Sequence, residues 1–250
     1  MEDLKLLSRP VNYLTYSVAA RDGREHEVEV YFEASPRWAL DQPYQQSASK
    51  GYEADGLLYL KSGSKEQNIL AKQGDDLRID WGYFYMVAGK ENTAYSVGNS
   101  TELRKNFVNG TLNSASLEGE DSNGNMALVR SHGKVKNVTD KIMLGYDDIY
   151  SIQYFGTNLR PYWNSKGDRT IEAEMLAAYN EYDKLLARCY AFDKKLMEDA
   201  SAAGGKEYAE LCALAYRQSI AAHNWWKPPT VTCCGCRRKT TVTAVSIRWT

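Results

Sequence analysis

Val11-Asn12-Tyr13-Leu14-Thr15-Tyr16-Ser17-Val18, a turn at Arg21-Asp22-Gly23-Arg24, and Glu27-Val28-Glu29-Val30-Tyr31-Phe32 form the stretch whose reading decides the fold. Val28, Val30 and Phe32 alternate with Glu27, Glu29 and Tyr31, the period of a strand with one face buried. The first segment is rich in the Val and Tyr that pack well on a pleated surface. An Asp-Gly pair between two such runs is a strong short-range hairpin signal, so the spacing predicts an antiparallel hairpin.

Working outward, β signals extend from Arg9 to about Phe155. Further strands are expected at Gly56–Lys61, at Leu77–Val87 with Asp80-Trp81-Gly82-Tyr83 inside it, at Met126–Arg130 and at Lys141–Leu144. Asp121-Ser122-Asn123-Gly124-Asn125 reads as a turn cluster between them. Many short strands joined by Gly, Asn and Asp turns predict an antiparallel sandwich rather than a βαβ fold. After Gly156 the signal changes. Pro161 to Asp168 reads as a linker, with Asp168 or Thr170 as the N-cap of a helix running from Ile171 to about Ala200. Met175, Tyr179, Tyr182, Leu186 and Cys189 recur at helical spacing and predict its apolar face. Ala203-Gly204-Gly205 breaks it, and a second helix from about Lys206 places Tyr208, Leu211, Cys212, Ala215 and Ser219 on one side. The expected class is therefore mainly β with C-terminal α: a β-sandwich followed by an αα-hairpin.

Composition narrows the function. Lys and Arg number 31 against 32 Asp and Glu, a net charge of −1, which leaves no electrostatic footprint for nucleic acid. No apolar run approaches the ~20 residues of a membrane span, and Met1 to Leu7 does not read as a signal peptide. Tyr (18) and Trp (6) outnumber Phe (5), a balance compatible with a sugar-like ligand cleft and equally with ordinary strands. Three sequons, at Asn99, Asn109 and Asn137, are read as chance occurrences.

The chain changes character at His223. Trp225-Trp226, Pro228-Pro229, Cys233-Cys234-Gly235-Cys236 and Arg237-Arg238-Lys239 follow without helical or strand period, and residues 224–250 are expected to be disordered. A frameshifted tail explains them. Taking the last base of each codon with the first two of the next, Asn224-Trp225 must give Leu, Trp225-Trp226 Val, Trp226-Lys227 Glu, Cys233-Cys234 Leu and Trp249-Thr250 Asp. The other positions permit an apolar lead, a P-N-G turn, a second apolar run and a polar loop. The rival reading of Cys233, Cys234, Cys236 and His223 as a zinc site lacks a second ligand pair, so no metal is expected.

No nucleophile elbow, zinc-protease helix, P-loop or dinucleotide fingerprint occurs. His26, His132 and His223 are isolated in sequence. Asp147 and Asp148, with Asp80 as a weaker companion, are the candidate catalytic carboxylates, since paired acids divide general acid and base work. On a strand they point to opposite faces, and the commoner fate of such a pair is one turn cap and one solvated group. Trp81, Tyr83 and Trp163 are the candidate substrate-binding residues, as a stacking platform.

The run from Tyr146 through Asn164, the segments Glu207 to Cys212 and Leu214 to Gln218, and Arg9 to Tyr13 with Ile79 to Tyr83 closely resemble the glutaminase A family. The re-framed tail also resembles the segment that follows in that family. The resemblance implies a β-sandwich over residues 1–157, the start of a six-hairpin (α/α) toroid over 158–223, and hydrolysis of glutamine to glutamate and ammonia without a cofactor. It implies a small-molecule substrate, either glutamine or something sugar-like, since the layout is similar to that of glycoside-processing enzymes. Members are usually exported. A chain holding the sandwich and one hairpin is expected to be catalytically inactive, because a pocket in such a toroid forms where many hairpins converge.

Overall fold

The structure, a computed structural model, describes residues 3–73, 78–112, 121–221, 223–227 and 234–237, with the backbone alone given at 121–122, 221, 223–224 and 234–237. It divides into two units. One comprises Pro10–Gln73 with Arg78–Tyr150, and the other the residues up to Arg9 with those from Ser151 onward.

The first unit is a sandwich of two antiparallel sheets. Strands β1 (Val11–Ala19), β2 (His26–Ala34), β3 (Ser47–Ala54), β4 (Leu57–Ser64), β5 (Tyr83–Gly89), β6 (Thr93–Gly98), β7 (Asp121–Ser122), β8 (Asn125–Val135) and β9 (Asn137–Asp147) supply them. The larger sheet has the order β1-β9-β5-β4-β3-β7 and the smaller β2-β8-β6. Leu60, Phe84, Met86 and Ile142 of the first meet Phe32, Val97, Met126 and Leu128 of the second in one apolar cluster. Each large side chain fully buried there contributes roughly 1.5–3 kcal/mol. Leu57, Tyr59, Val87 and Met143, which alternate with the core positions, are buried as well, so residues 57–60 of β4 and 84–88 of β5 are continuous apolar runs rather than alternating ones.

The expected β1–β2 hairpin is corrected by the pairing. β1 runs antiparallel to β9, from Val11 against Gly145 to Ala19 against Asn137. β2 runs antiparallel to β8, from His26 against Val135 to Ala34 against Met126. The two strands therefore lie in different sheets, and Asp22-Gly23 turns a corner of the sandwich. The linker from Ala20 to Glu25 is too long for the two-residue turn that an Asp-Gly hairpin requires. Asp22 instead closes this corner locally, accepting from the Arg24 amide at 3.0 Å. β8 and β9 make the matching corner at Lys136, and the Ala20 amide donates to the Lys136 carbonyl at 2.8 Å. Two other expectations shift. Asp80 to Gly82 form a loop before β5, not part of the strand. The turn cluster at 121–125 contributes the short β7. Helix α2 (Ser100–Val108) also interrupts the β region, capped by the sequon residue Asn99, whose side chain accepts from the Thr101 amide.

A polar clasp joins the sheets at the corner. Opposite β2 the register slips between Val28 and Glu29, which leaves His132 of β8 as the extra residue of a bulge. His132 Nε2 lies 2.9 Å from the Tyr16 hydroxyl of β1. Arg130 of β8 donates to Asp140 of β9 from Nε at 2.9 Å and from a terminal nitrogen at 2.7 Å, and also donates to the Gly89 carbonyl. Burial, with the Asp140 charge, pushes Tyr16 up to about 12. Burial opposes ionisation of Asp140, yet the Lys141 amide and the Arg130 guanidinium hold it below its ordinary value.

The second unit is mainly helical. It contains α1 (Leu4–Ser8), the hairpin β10 (Ile152–Tyr154) with β11 (Thr157–Leu159), α3 (Ile171–Ala221), and β12 (His223–Trp226) with β13 (Cys234–Arg237). Thr170 caps α3, its Oγ1 accepting from the Ala173 amide at 3.2 Å. The helix is broken at Gly205, whose φ of 80° and ψ of −175° are non-helical. The rings of Phe192 and Tyr216 lie 5.0 Å apart, whereas 24 residues along one straight helix span about 36 Å. The limbs 171–204 and 206–221 thus fold back as the expected αα-hairpin.

Burial refines its faces. Ile171, Met175, Ala178, Tyr182 and Leu185 form the buried stripe, which keeps Met175 and Tyr182 of the expected face and takes Ala178 and Leu185 in place of Tyr179 and Leu186, while Cys189 is exposed. In the second limb Ala209 is buried while Tyr208 and Leu211 are exposed. The tail also departs from expectation. β12 pairs with β13, Trp226 bridges to Pro161 and is 6% exposed, and its ring lies 5.4 Å from Tyr154. Trp225-Trp226 supplies the aromatic bulk that a short strand needs to dock. The rest of the tail, with Cys233 and the side chains of Cys234, Cys236 and His223, lies outside the described residues.

Arg130→Met leaves Asp140 partly buried without its guanidinium. The substitution is expected to cost about 3 kcal/mol in urea unfolding, and Arg130→Lys, which cannot grip Asp140 Oδ2 with two nitrogens and hold the Gly89 carbonyl as well, should recover less than half.

Candidate functional site

Asp80 lies in the loop leading into β5 and is 1% exposed. Its Oδ2 accepts from the Gln45 amide and from the Lys72 ammonium, each at 3.0 Å. Lys72 also donates to Asp41 Oδ2 at 2.7 Å. Gln45 completes the ring, its Oε1 accepting from the backbone amides of Asp41 at 2.8 Å and Gln42 at 2.9 Å. One cation thus sits between two carboxylates, drawn from three stretches of chain. The Lys72 hydrogen bond holds Asp41 below its ordinary value of 3.8. Asp41 and then Asp80 raise Lys72 above its ordinary 10.5.

The next two residues lock the same loop to the end of β9. The Trp81 indole donates to the carbonyls of Asp148 at 2.8 Å and Tyr150 at 3.0 Å, and the Tyr146 hydroxyl donates to the Trp81 carbonyl at 2.6 Å. Gly82 has φ +77°, and a Cβ there would stand 2.2 Å from the Asp147 carbonyl oxygen. Gln67 grips the Gly82 peptide in both directions: its Oε1 accepts from the Gly82 amide at 2.8 Å and its Nε2 donates to the Gly82 carbonyl at 3.1 Å. Asp147 Oδ1 caps the following turn by accepting from the Ile149 amide at 3.0 Å, and this turn carries a β-branched residue at φ 55°. Strained backbone of this kind persists only where its surroundings over-determine it.

The structure therefore brings Asp80, Trp81, Asp147 and Asp148 into one region, though not into an open cleft. Asp148 is 6% exposed and Trp81 8% exposed. Tyr83 has the Lys61 ammonium 3.6 Å from its ring centroid and rests against Gly63. Trp163, in the helical unit, is 4% exposed. A stacking platform needs open ring faces, and the two indoles offer none. Sequence reasoning missed Gln45, Asp41, Lys72 and Gln67, because nothing local in the chain ties a Gln at 45 to an Asp 35 residues later. Among the described residues no three His, Cys, Asp or Glu side chains gather to hold a metal ion.

Removing the central cation tests this reading of the loop. Lys72→Met is expected to cost about 2 kcal/mol, less than a fully buried pair because the Lys72 side chain is 39% exposed. The depressed Asp41 stabilises the fold above pH 3.8, and this contribution is lost as pH falls through its folded value. The raised Lys72 stabilises it below pH 10.5, and this contribution is lost as pH rises through its own folded value. Unfolding curves of the two proteins should therefore converge at both extremes of pH; a gap of constant size would refute the assignment. Gly82→Ala, which must move backbone rather than a side chain, is expected to cost about 3 kcal/mol or more by the same measurement.

A family profile described as "Domain of unknown function (DUF5127)" matches residues 1–199. The chain is also similar to a protein of Aspergillus oryzae (strain ATCC 42149 / RIB 40) named Glutaminase A, with 26% identity over 238 residues, 88% of this chain and 34% of that protein. The chain thus spans about a third of the length of that curated relative. With the family profile extending through the sandwich and well into the first limb of α3, the chain belongs to the DUF5127 family.

Proposed function

We propose that this chain is the sandwich and opening helical hairpin of a glutaminase A-like amidohydrolase that converts glutamine to glutamate and ammonia, and that by itself it does not turn over glutamine. The similarity to Glutaminase A along most of the chain supports the lineage. One observation carries the second half. Asp80 is spent on Gln45 and Lys72, Asp147 caps its own turn, and Asp148 is buried at 6% exposure. A general acid or base has to reach the proton it moves. These carboxylates are therefore read as positioning groups that fix the loop before β5, and the reacting groups as residues of the helical domain. The carbohydrate-binding alternative has less support, because Trp81 and Trp163 present no ring face to solvent.

Ammonia release from glutamine separates these readings. The 250-residue chain is expected to stay at the no-enzyme background, while the Aspergillus oryzae relative, assayed alongside, turns glutamine over. Turnover by this chain alone, abolished by Asp80→Asn or Asp148→Asn, would overturn the positioning assignment. Hydrolysis of a glycoside but not of glutamine by the relative would overturn the substrate class.

A further inference from the structure

We propose that the helical unit binds a small dianionic oxyanion, of phosphate or dicarboxylate type, in the cleft between α1 and the first limb of α3. The cleft holds about 300 Å³, room for such an ion with its nearest waters. Lys5, Arg9, Arg169, Lys184 and Arg188 line it, against only three carboxylates, those of Asp3, Glu174 and Glu181.

The carboxylates are already engaged. Glu174, 5% exposed, accepts from Arg9 Nε at 3.2 Å and from Arg169. Glu181 accepts from Arg9 at 2.9 Å. Asp3 caps α1, accepting from the Leu6 amide at 3.0 Å. Lys5, Lys184 and Arg188 have no ion pair among the described residues, and the lining carries an excess of two positive charges.

The rest of α3 shows how unusual this is. Elsewhere its lysines sit four residues from acids, as in Lys194–Glu198, Lys195–Asp199 and Lys206–Glu210. Lys184 and Arg188 have the same spacing with like charge, an arrangement that mildly destabilises a helix unless something compensates it. Glu174 meanwhile holds Arg9 and Arg169 rigid. The site thus has two fixed guanidiniums and three longer-range cations, the pattern that takes up an anion with two or more oxygens.

Thermal unfolding of the whole chain tests this, titrated separately with inorganic phosphate and with succinate against sodium chloride at matched ionic strength. The expected result is a saturable rise in Tm with phosphate, succinate or both. A response to phosphate alone marks a tetrahedral ligand, and a response to succinate marks a dicarboxylate. The paired variant Lys184→Gln/Arg188→Gln, whose side chains are exposed, should weaken the response about tenfold. The remote pair Lys194→Gln/Lys195→Gln should leave it unchanged. An equal effect from chloride, or an undiminished response in the cleft variant, would overturn the proposal. The readout is unfolding temperature, so its outcome is distinguishable from that of the ammonia-release assay.

Discussion

The sandwich depends on one close approach of backbone to backbone, Gly82 against the carbonyl of Asp147. A side chain at residue 82 would meet that oxygen at 2.2 Å, so β5 can begin beside the end of β9 only if the residue before it has no Cβ. The approach also leaves polar groups in a dry place, and each is matched. Gln67 satisfies both sides of the Gly82 peptide. The Trp81 indole satisfies the carbonyls of Asp148 and Tyr150. Leaving such groups unpaired would cost about 1–3 kcal/mol each, comparable to the gain from a buried apolar side chain. The identities of residues 67, 81 and 82 are therefore coupled, and the aspartates on either side inherit their positions from that coupling.

A similar economy holds the opposite end of the sandwich. β1 to β2 and β8 to β9 both pass from one sheet to the other, and a backbone hydrogen bond between Ala20 and Lys136 joins their corners. Alone that bond is worth about 1 kcal/mol. Arg130 reinforces it by reaching from β8 to Asp140 on β9 and to the Gly89 carbonyl of β5, and the bulge turns His132 toward Tyr16. A histidine, a tyrosine and an aspartate in one cluster resemble catalytic parts. Here they are closed in by the strands themselves, and their chemistry is spent on holding two sheets in register.

These two corners also mark what the chain discloses before it folds. The strand character of Val11–Val18 and Glu27–Phe32 is local, set by alternation, and it is present as read. Their partners are not local. A nearby turn favours pairing β1 with β2, and only the apolar faces of β8 and β9, more than a hundred residues away, override it. The helix start at Thr170 and the break at Gly205 were legible because capping and glycine act within a turn. The buried stripe keeps Met175 and Tyr182 but takes Ala178 and Leu185 in place of Tyr179 and Leu186, a rotation smaller than the step of about 100° between successive residues, and tertiary contact decides it. In the candidate site, Asp80, Asp147 and Asp148 stand out as residue types, but the partners that consume them come from residues 41, 45 and 72, which no motif connects.

The helical hairpin carries the argument a step further, because its stabilising contacts thin out along its length. Ile171, Met175, Ala178, Tyr182 and Leu185 anchor its base. Toward the Gly205 turn the large apolar side chains face solvent, with Tyr190 66% and Leu211 61% exposed, and the contacts there include Phe192 on Tyr216 and the buried Ala200 and Ala209. The oppositely charged pairs there add only about 0.2–0.5 kcal/mol each. Helix propensity alone does not hold limbs of this kind, since most helical stability in proteins comes from packing of an apolar face. The distal part of the hairpin must then open at lower free energy than its base. Loops at that turn would be poor places to fix a reacting geometry, and the rigid positions in this chain lie in the sandwich and at the base of α3, where Glu174 holds two arginines in place.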